Sequence, residues 1–162
     1  MERFLRLGWK EYGNMASALA RSVARSGIRF DVVVGIARGG VPLAMVISDE
    51  IGARLEIVNV KSYNGMRGER VNPRILTTLT SSVEGRRVLL VDDLVEEGDT
   101  MKEMASYLEK QRPGKLMTAA MFRKPWSRVV PDFCVKQVDR WVVFPWELGE
   151  MRRLKDGIGR RA

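Results

Sequence analysis

VLLVDDLVEEGDT, residues 88–100, opens with four apolar residues, passes through two adjacent carboxylates and ends in a small-residue turn. The run at 88–91 is short and bounded, and it reads as a buried strand. Asp92 and Asp93 stand at its end, where charge is costly unless it is used. Residues 92–99 read as a turn. A helix follows, with Met101, Met104, Ala105 and Leu108 at i, i+3, i+4 and i+7. Backbone N–H groups at a helix start attract anions, and Gly98 lets the chain bend close to one. A carboxylate pair suits vicinal hydroxyls or a magnesium ion. The segment alone leaves two readings open: an ordinary acidic turn with Asp99 as helix cap, or a site for a phosphorylated, hydroxyl-bearing ligand. A calcium loop fits poorly, because the acids follow a strand rather than a helix.

Working outward, the same strand-turn-helix pattern recurs. Asn14 can cap a helix in which Met15, Leu19 and Val23 recur every four residues, and Gly27 can end it. Residues 32–36 read as a buried strand and residues 37–40 as a turn. Pro42 suits the first turn of a second helix that reaches Ile51, with Gly52 beyond it. Residues 55–60 and 116–122 are further strands, and 133–138 and 141–144 are short ones. Residues 61–74, KSYNGMRGERVNPR, form a long polar loop of a length that is often functional. The alternation predicts an α/β fold with a mostly parallel, twisted sheet flanked by helices. Ligands of such sheets bind beyond the carboxyl ends of the strands. Arg38, Ser62, Asp92, Asp93, Glu96 and Lys124 each follow a predicted strand, so they should gather at one edge of the sheet.

Composition narrows the chemistry. The chain of 162 residues reads as a single domain over 1–162, 45% hydrophobic and 30% charged, which is a globular balance. A chain of this length buries roughly 70% of its extended surface and needs no cross-link. Cys134 is the only cysteine, which excludes a disulfide within the chain and fits a reducing compartment. No stretch approaches a membrane span and residues 1–10 lack a signal-peptide core, so a cytoplasmic protein with no membrane partner is expected. Histidine is absent, which excludes Ser-His and Cys-His catalysis and imidazole-bound metals. Proton transfer must fall to carboxylates, Lys or Tyr, and any metal should be a hard cation such as Mg2+. The formal charge of +8 suits a polyanionic partner, either nucleic acid or a phosphorylated small molecule. Part of it lies in a tail, at Arg152, Arg153, Lys155, Arg160 and Arg161, which reads as a solvated end.

Residues 88–100 resemble the phosphoribosyl pyrophosphate (PRPP) motif of type I phosphoribosyltransferases. VVVGIARGGVPLA, residues 32–44, resembles that family's pyrophosphate loop. FRKP at 122–125, PDF at 131–133 and WVVFPWE at 141–147 resemble the C-terminal half of the hypoxanthine-guanine and xanthine-guanine enzymes, and KSY at 61–63 resembles the start of their mobile catalytic loop. The likeness runs over residues 31–148. It implies the type I fold with a small C-terminal hood. It also implies purine salvage, in which the 5-phosphoribosyl group of PRPP passes to N9 of a 6-oxopurine and pyrophosphate leaves.

The resemblance also implies roles. Glu96, Glu97, Gly98, Asp99 and Thr100 would cradle the 5′-phosphate, and Asp92 and Asp93 would hold the ribose hydroxyls. Arg38 and Gly39 would face pyrophosphate, in a loop where the family often has a cis peptide. Glu96 would be the base for the purine N7 proton. Lys124 would donate to O6, Trp141 would stack on the ring, the Val142 backbone would read its edge, and Glu147 would help at the base edge or, with Asp93, hold Mg2+. Ser62, Tyr63, Arg67 and Arg70 would belong to a loop that closes over the site. Trp126 and Trp146 read as packing residues. Homodimers or homotetramers are the family's usual assemblies.

Two positions depart from the pattern. Glu97 replaces a small hydroxyl residue, and a carboxylate about 4 Å from a phosphate charge costs roughly 4 kcal/mol at an effective dielectric near 20. Its side chain is therefore expected to turn away and leave its N–H for the ligand, with Lys102 offsetting some charge. Glu96 stands where Asp is more usual, one methylene longer. A second reading on the same fold is a PRPP- or nucleotide-sensing regulator that binds RNA with its positive charge. The purine clamp of Lys124 and residues 141–147 separates the two.

Overall fold

The computed structural model describes residues 4–61 and 73–155. The run that opens the acidic segment lies at the centre of a six-stranded sheet of order β4-β3-β2-β5-β6-β7. Its strands are β2 (Val32–Ala37), β3 (Arg54–Lys61), β4 (Arg74–Ile75), β5 (Arg87–Val95), β6 (Lys115–Arg123) and β7 (Phe133–Gln137). Only β4 is antiparallel to its neighbour; the other pairs are parallel. Parallel strands need both faces covered, which is why β2 and β5 are continuous apolar runs rather than alternating ones.

Successive side chains of these strands serve opposite faces. Val33, Leu89 and Val91 pack under helices α1 (Trp9–Arg25) and α2 (Gly40–Ile51), through Ala16, Leu19, Leu43 and Ile47. Val32, Val34, Val88 and Leu90 pack under α3 (Asp99–Glu109), through Met101, Met104 and Leu108. Where β2 and β5 begin, Arg87 ties them together. Its Nε and Nη2 donate to the two oxygens of Asp31 at 3.0 and 2.8 Å, and its backbone N–H adds a third bond at 2.8 Å.

Several boundaries differ from the sequence reading, each for a local reason. Strand β5 continues through both aspartates to Val95, because Asp92, Leu94 and Val95 stay in register with Ala120, Phe122 and Arg123 of β6. The acid pair therefore lies within a strand, and the turn shrinks to residues 96–98. Gly98, at φ 96°, takes the cap of α3, so Asp99 is a first-turn residue rather than the cap. Helix α1 starts a full turn before Asn14, which is exposed mid-helix. Glu11 accepts the Gly8 N–H at 2.8 Å and so closes the helix start, and Tyr12 extends the buried stripe towards it.

A short strand absent from the sequence reading, β1 (Phe4–Arg6), pairs in parallel with β8 (Trp141–Val143) as a separate two-stranded sheet. The Leu7 N–H continues the pairing to the Val143 carbonyl at 3.0 Å. A 3-10 turn (Pro145–Glu147) and helix α4 (Leu148–Lys155) follow, so the tail begins as helix, with Arg152 and Arg153 exposed. Lys155 ends that helix, and Arg160 and Arg161 lie outside the described residues. Among the described residues no helix is long and apolar enough to cross a membrane.

Candidate active site

The site grows from the carboxyl ends of β2, β5 and β6. At the end of β2 the Ala37–Arg38 peptide is cis, and Arg38 is exposed. Gly39 then passes so close to β5 that a Cβ built on it would overlap the Asp93 carboxyl, and one on Gly40 would come within 2.7 Å of the Val91 carbonyl oxygen. Glycine is required at both positions by this approach. The pyrophosphate-like loop and the acid pair thus form one unit.

The two aspartates support each other through the backbone. Asp92 Oδ1 accepts the Asp93 N–H at 2.9 Å, and Asp93 Oδ1 accepts the Leu94 N–H at 2.8 Å. Burial drives the Asp92 carboxyl well above the usual carboxylate range, and the neighbouring Asp93 charge adds to this. Asp93 is likewise raised, to about 6: burial is the main cause and the negative charge of Glu147 adds to it, against hydrogen bonds from Asp92 and the Leu94 N–H that lower it. Charge of one sign is concentrated here, in an arrangement that a cation or a set of hydroxyl donors would relieve.

Beside the pair opens a cavity of about 260 Å³. Six of the expected residues line it: Asp93, Glu96, Lys124, Trp141, Val142 and Glu147. Leu94 and Phe144 complete the wall. These residues come from β5 and the turn after it, the loop after β6, β8 and the segment that leads into and forms the 3-10 turn, so the fold assembles them from distant sequence. Trp141 is 61% exposed, which excludes a core role and leaves its ring face open. Lys124 is only 4% exposed; its ammonium donates to the Arg140 carbonyl and lies 5.4 Å from the centre of the Trp126 ring. Trp126 is therefore not a packing residue: it is half exposed and sits beside the buried cation. Trp146 does pack, stacked on Phe144 at 4.8 Å and edge-on to Tyr12 at 5.0 Å. Glu147 Oε2 accepts the Phe144 N–H at 2.9 Å, which holds the carboxylate at the cavity wall.

The turn after β5 completes the geometry. Glu96 is exposed at the cavity, and Glu97, Asp99 and Thr100 are half-buried. Gly98 has no room for a side chain, since a Cβ there would meet Val129 Cγ2 at 2.6 Å. Arg38 stands next to Gly39 and so close to the acid pair, yet outside the cavity lining. Ser62, Tyr63, Arg67 and Arg70 lie outside the described residues. Among the described residues no cluster of three or more Asp, Glu, His or Cys could hold a metal, so the candidate donors are the pair Asp93 and Glu147.

Sequence reasoning missed two residues here. Arg128 donates its backbone N–H to the Glu97 carbonyl at 3.3 Å and its guanidinium to Asp99 at 3.2 Å. Tyr12 is buried under the cavity wall, and its hydroxyl meets no hydrogen-bond partner among the described residues. Burial pushes that phenol up, and the Asp93 charge adds to the shift. Neither contact has a periodic or motif signal in the sequence, because both join elements far apart along the chain.

Comparison with known proteins agrees with this geometry. The family described as "Phosphoribosyl transferase domain" matches residues 8–151. A xanthine-guanine phosphoribosyltransferase of Gluconobacter oxydans (strain 621H) is 32% identical over 142 residues, spanning 86% of this chain and 82% of the relative. One from Cereibacter sphaeroides is 29% identical over 155 residues, spanning 91% and 89%. The crystal structure of a purine phosphoribosyltransferase from Pyrococcus horikoshii Ot3 superposes with a TM-score of 0.79 at 30% identity, covering 90% of this chain and 95% of that one. With its parallel sheet, its acid pair and its glycine-bearing loop, the chain belongs to the phosphoribosyltransferase family, a class of glycosyltransferases.

Proposed function

We propose that this enzyme transfers the 5-phosphoribosyl group of PRPP to N9 of a 6-oxopurine, guanine, hypoxanthine or xanthine, and releases pyrophosphate. The observation that carries the reading is the cavity itself. A buried lysine and an open tryptophan face line it together with the carboxylates of Asp93, Glu96 and Glu147. The names of the similar proteins, xanthine-guanine and purine phosphoribosyltransferases, support the choice of base.

The residues divide the work as follows. Trp141 stacks on the purine ring, and the Val142 backbone reads its edge. Lys124 has three donors and no acceptor. One is engaged by the Arg140 carbonyl, so another can meet O6. An amino group at the same purine position offers no acceptor, which leaves that second donor of the buried ammonium unmatched and penalises adenine. N–H groups of residues 96–100 and the Thr100 hydroxyl hold the 5′-phosphate at the start of α3. Asp92 and Asp93 accept hydrogen bonds from the ribose hydroxyls, whose donors suit two carboxyl groups of raised proton affinity. Arg38 and the start of α2 at Gly39 face the departing pyrophosphate with charge-assisted donors. As the bond to N9 forms, the ring gains positive charge and its N7 proton becomes acidic, and Glu96 at the cavity mouth accepts it.

The donor set also fits magnesium. Asp93 and Glu147 offer only oxygens, as a hard cation prefers, and their mutual repulsion favours a positive charge between them. Magnesium bound there would supply charge neutralisation for pyrophosphate, with water completing its shell.

Calorimetric titration with GMP and AMP in the presence of Mg2+ tests the reading. GMP should bind about a hundredfold or more tighter than AMP, and Lys124→Met should remove most of the difference. Equal affinity of the parent enzyme for both nucleotides would overturn the oxopurine assignment.

A further inference from the structure

The segment after Lys124 turns back sharply and lies against the turn that follows β5. The Ser127 N–H donates to the Lys124 carbonyl at 3.1 Å. The Ser127 hydroxyl donates to the Val129 carbonyl at 2.9 Å and accepts the Val129 N–H at 3.2 Å. This tight turn presents Arg128 and Val129 to residues 97–99. Val129 occupies the space that a side chain at position 98 would need, and the Arg128 N–H donates to the Glu97 carbonyl at 3.3 Å. The Arg128 guanidinium then reaches Asp99 Oδ1 at 3.2 Å.

As a stability device this ion pair is weak, because both side chains are about half exposed and water screens them. Its position is what matters. Glu96, Glu97 and Asp99 place three carboxylates within four residues of the proposed phosphate cradle. Two unit charges about 4 Å apart repel by roughly 4 kcal/mol at a dielectric near 20. A dianionic phosphate therefore needs the nearest carboxylates turned away or neutralised. Asp99, in the first turn of α3, is neutralised from a separate loop, and the same residue pins the turn through its backbone.

We propose that Arg128 is a positioning residue for the 5′-phosphate: it cancels the Asp99 charge at the start of α3 and fixes the turn so that its N–H groups face the anion. The inference rests on the reading of residues 96–100 as the 5′-phosphate site. It also links the two ends of the substrate pair, since one short segment carries both the purine-reading lysine and the brace of the phosphate turn.

The test is a double-mutant cycle read as the preference for GMP over guanosine, both titrated with Mg2+, with the KM for PRPP measured alongside. Arg128→Ala should cut the GMP preference about tenfold, equivalent to about 1.4 kcal/mol, and raise the KM for PRPP while leaving guanosine affinity unchanged. Asp99→Asn alone should keep or increase the preference. Adding Asp99→Asn to Arg128→Ala should restore most of it. A parental preference in Arg128→Ala would overturn the inference. So would a loss that Asp99→Asn fails to repair, or an equal loss of guanosine and GMP, which marks general loosening. If the parent enzyme binds GMP no tighter than guanosine, the phosphate-site reading itself fails, and the inference with it.

Discussion

Glu96 stands at the mouth of the cavity while Asp92 and Asp93 lie inside the strand ahead of it, so three neighbouring carboxylates meet different environments. The pair is raised by desolvation and would suit hydroxyl donors or a cation, whereas the exposed carboxylate is the proposed base. Glu96→Gln should therefore lower kcat about a hundredfold or more, with little change in the KM for PRPP, as steady-state kinetics with each substrate varied would show. Unchanged turnover would remove Glu96 as the base. At this scale Asp92, Asp93, Glu96, Lys124 and Trp141 stood out in the sequence because each lies beside or at the end of an apolar run within a short motif. Arg128 and Tyr12 were not, because their roles come from contacts across the fold. Trp126 was misread as packing for the same reason: nothing near it in sequence shows that it lies beside the Lys124 ammonium.

Elements meet at two junctions that make separate predictions. The first joins the loop after β2 to the acid pair on β5. Gly39→Ala forces a methyl group into the Asp93 carboxyl, so it should cost about 1–3 kcal/mol of stability and raise the KM for PRPP. Thermal unfolding and PRPP kinetics check both, and parental values would show that the loop does not press on Asp93. The second junction is Asp31 with Arg87 at the opposite end of β2 and β5. Hydrogen bonds from the Arg87 side chain, and then from its backbone N–H, hold the Asp31 carboxyl below its ordinary value of 3.8. A depressed carboxylate stabilises the fold above its unfolded value, and that contribution disappears as pH falls through the folded value. Asp31→Asn should therefore lower Tm at pH 7, and the gap to the parent should close as pH drops below about 4. A gap that persists unchanged at low pH would contradict the ion-pair account. The sequence revealed the central strands and the three longer helices but misjudged their ends, and it did not reveal β1, β4 or α4. Strand β5 outran its apolar residues because backbone pairing with β6 continued, and α1 began early because Glu11 could close it at Gly8.

Across the whole molecule, alternating strands and helices were enough to foresee a parallel sheet with a binding edge. The pairing of β1 with β8 was not foreseeable, since two three-residue strands from opposite ends of the chain carry no pattern of their own. That pairing sits beside the cavity, where Trp141 and Val142 of β8 form part of the wall. The fold thus brings the proposed base-reading and phosphoribosyl-reading residues to one edge of the sheet, and the proposed reaction requires both to act together. The most direct measurement is pyrophosphate release from PRPP and Mg2+ with guanine, hypoxanthine, xanthine and adenine supplied separately. Release with at least one oxopurine and none with adenine is the predicted result. Release with adenine, or none with any base while PRPP still binds, would contradict it.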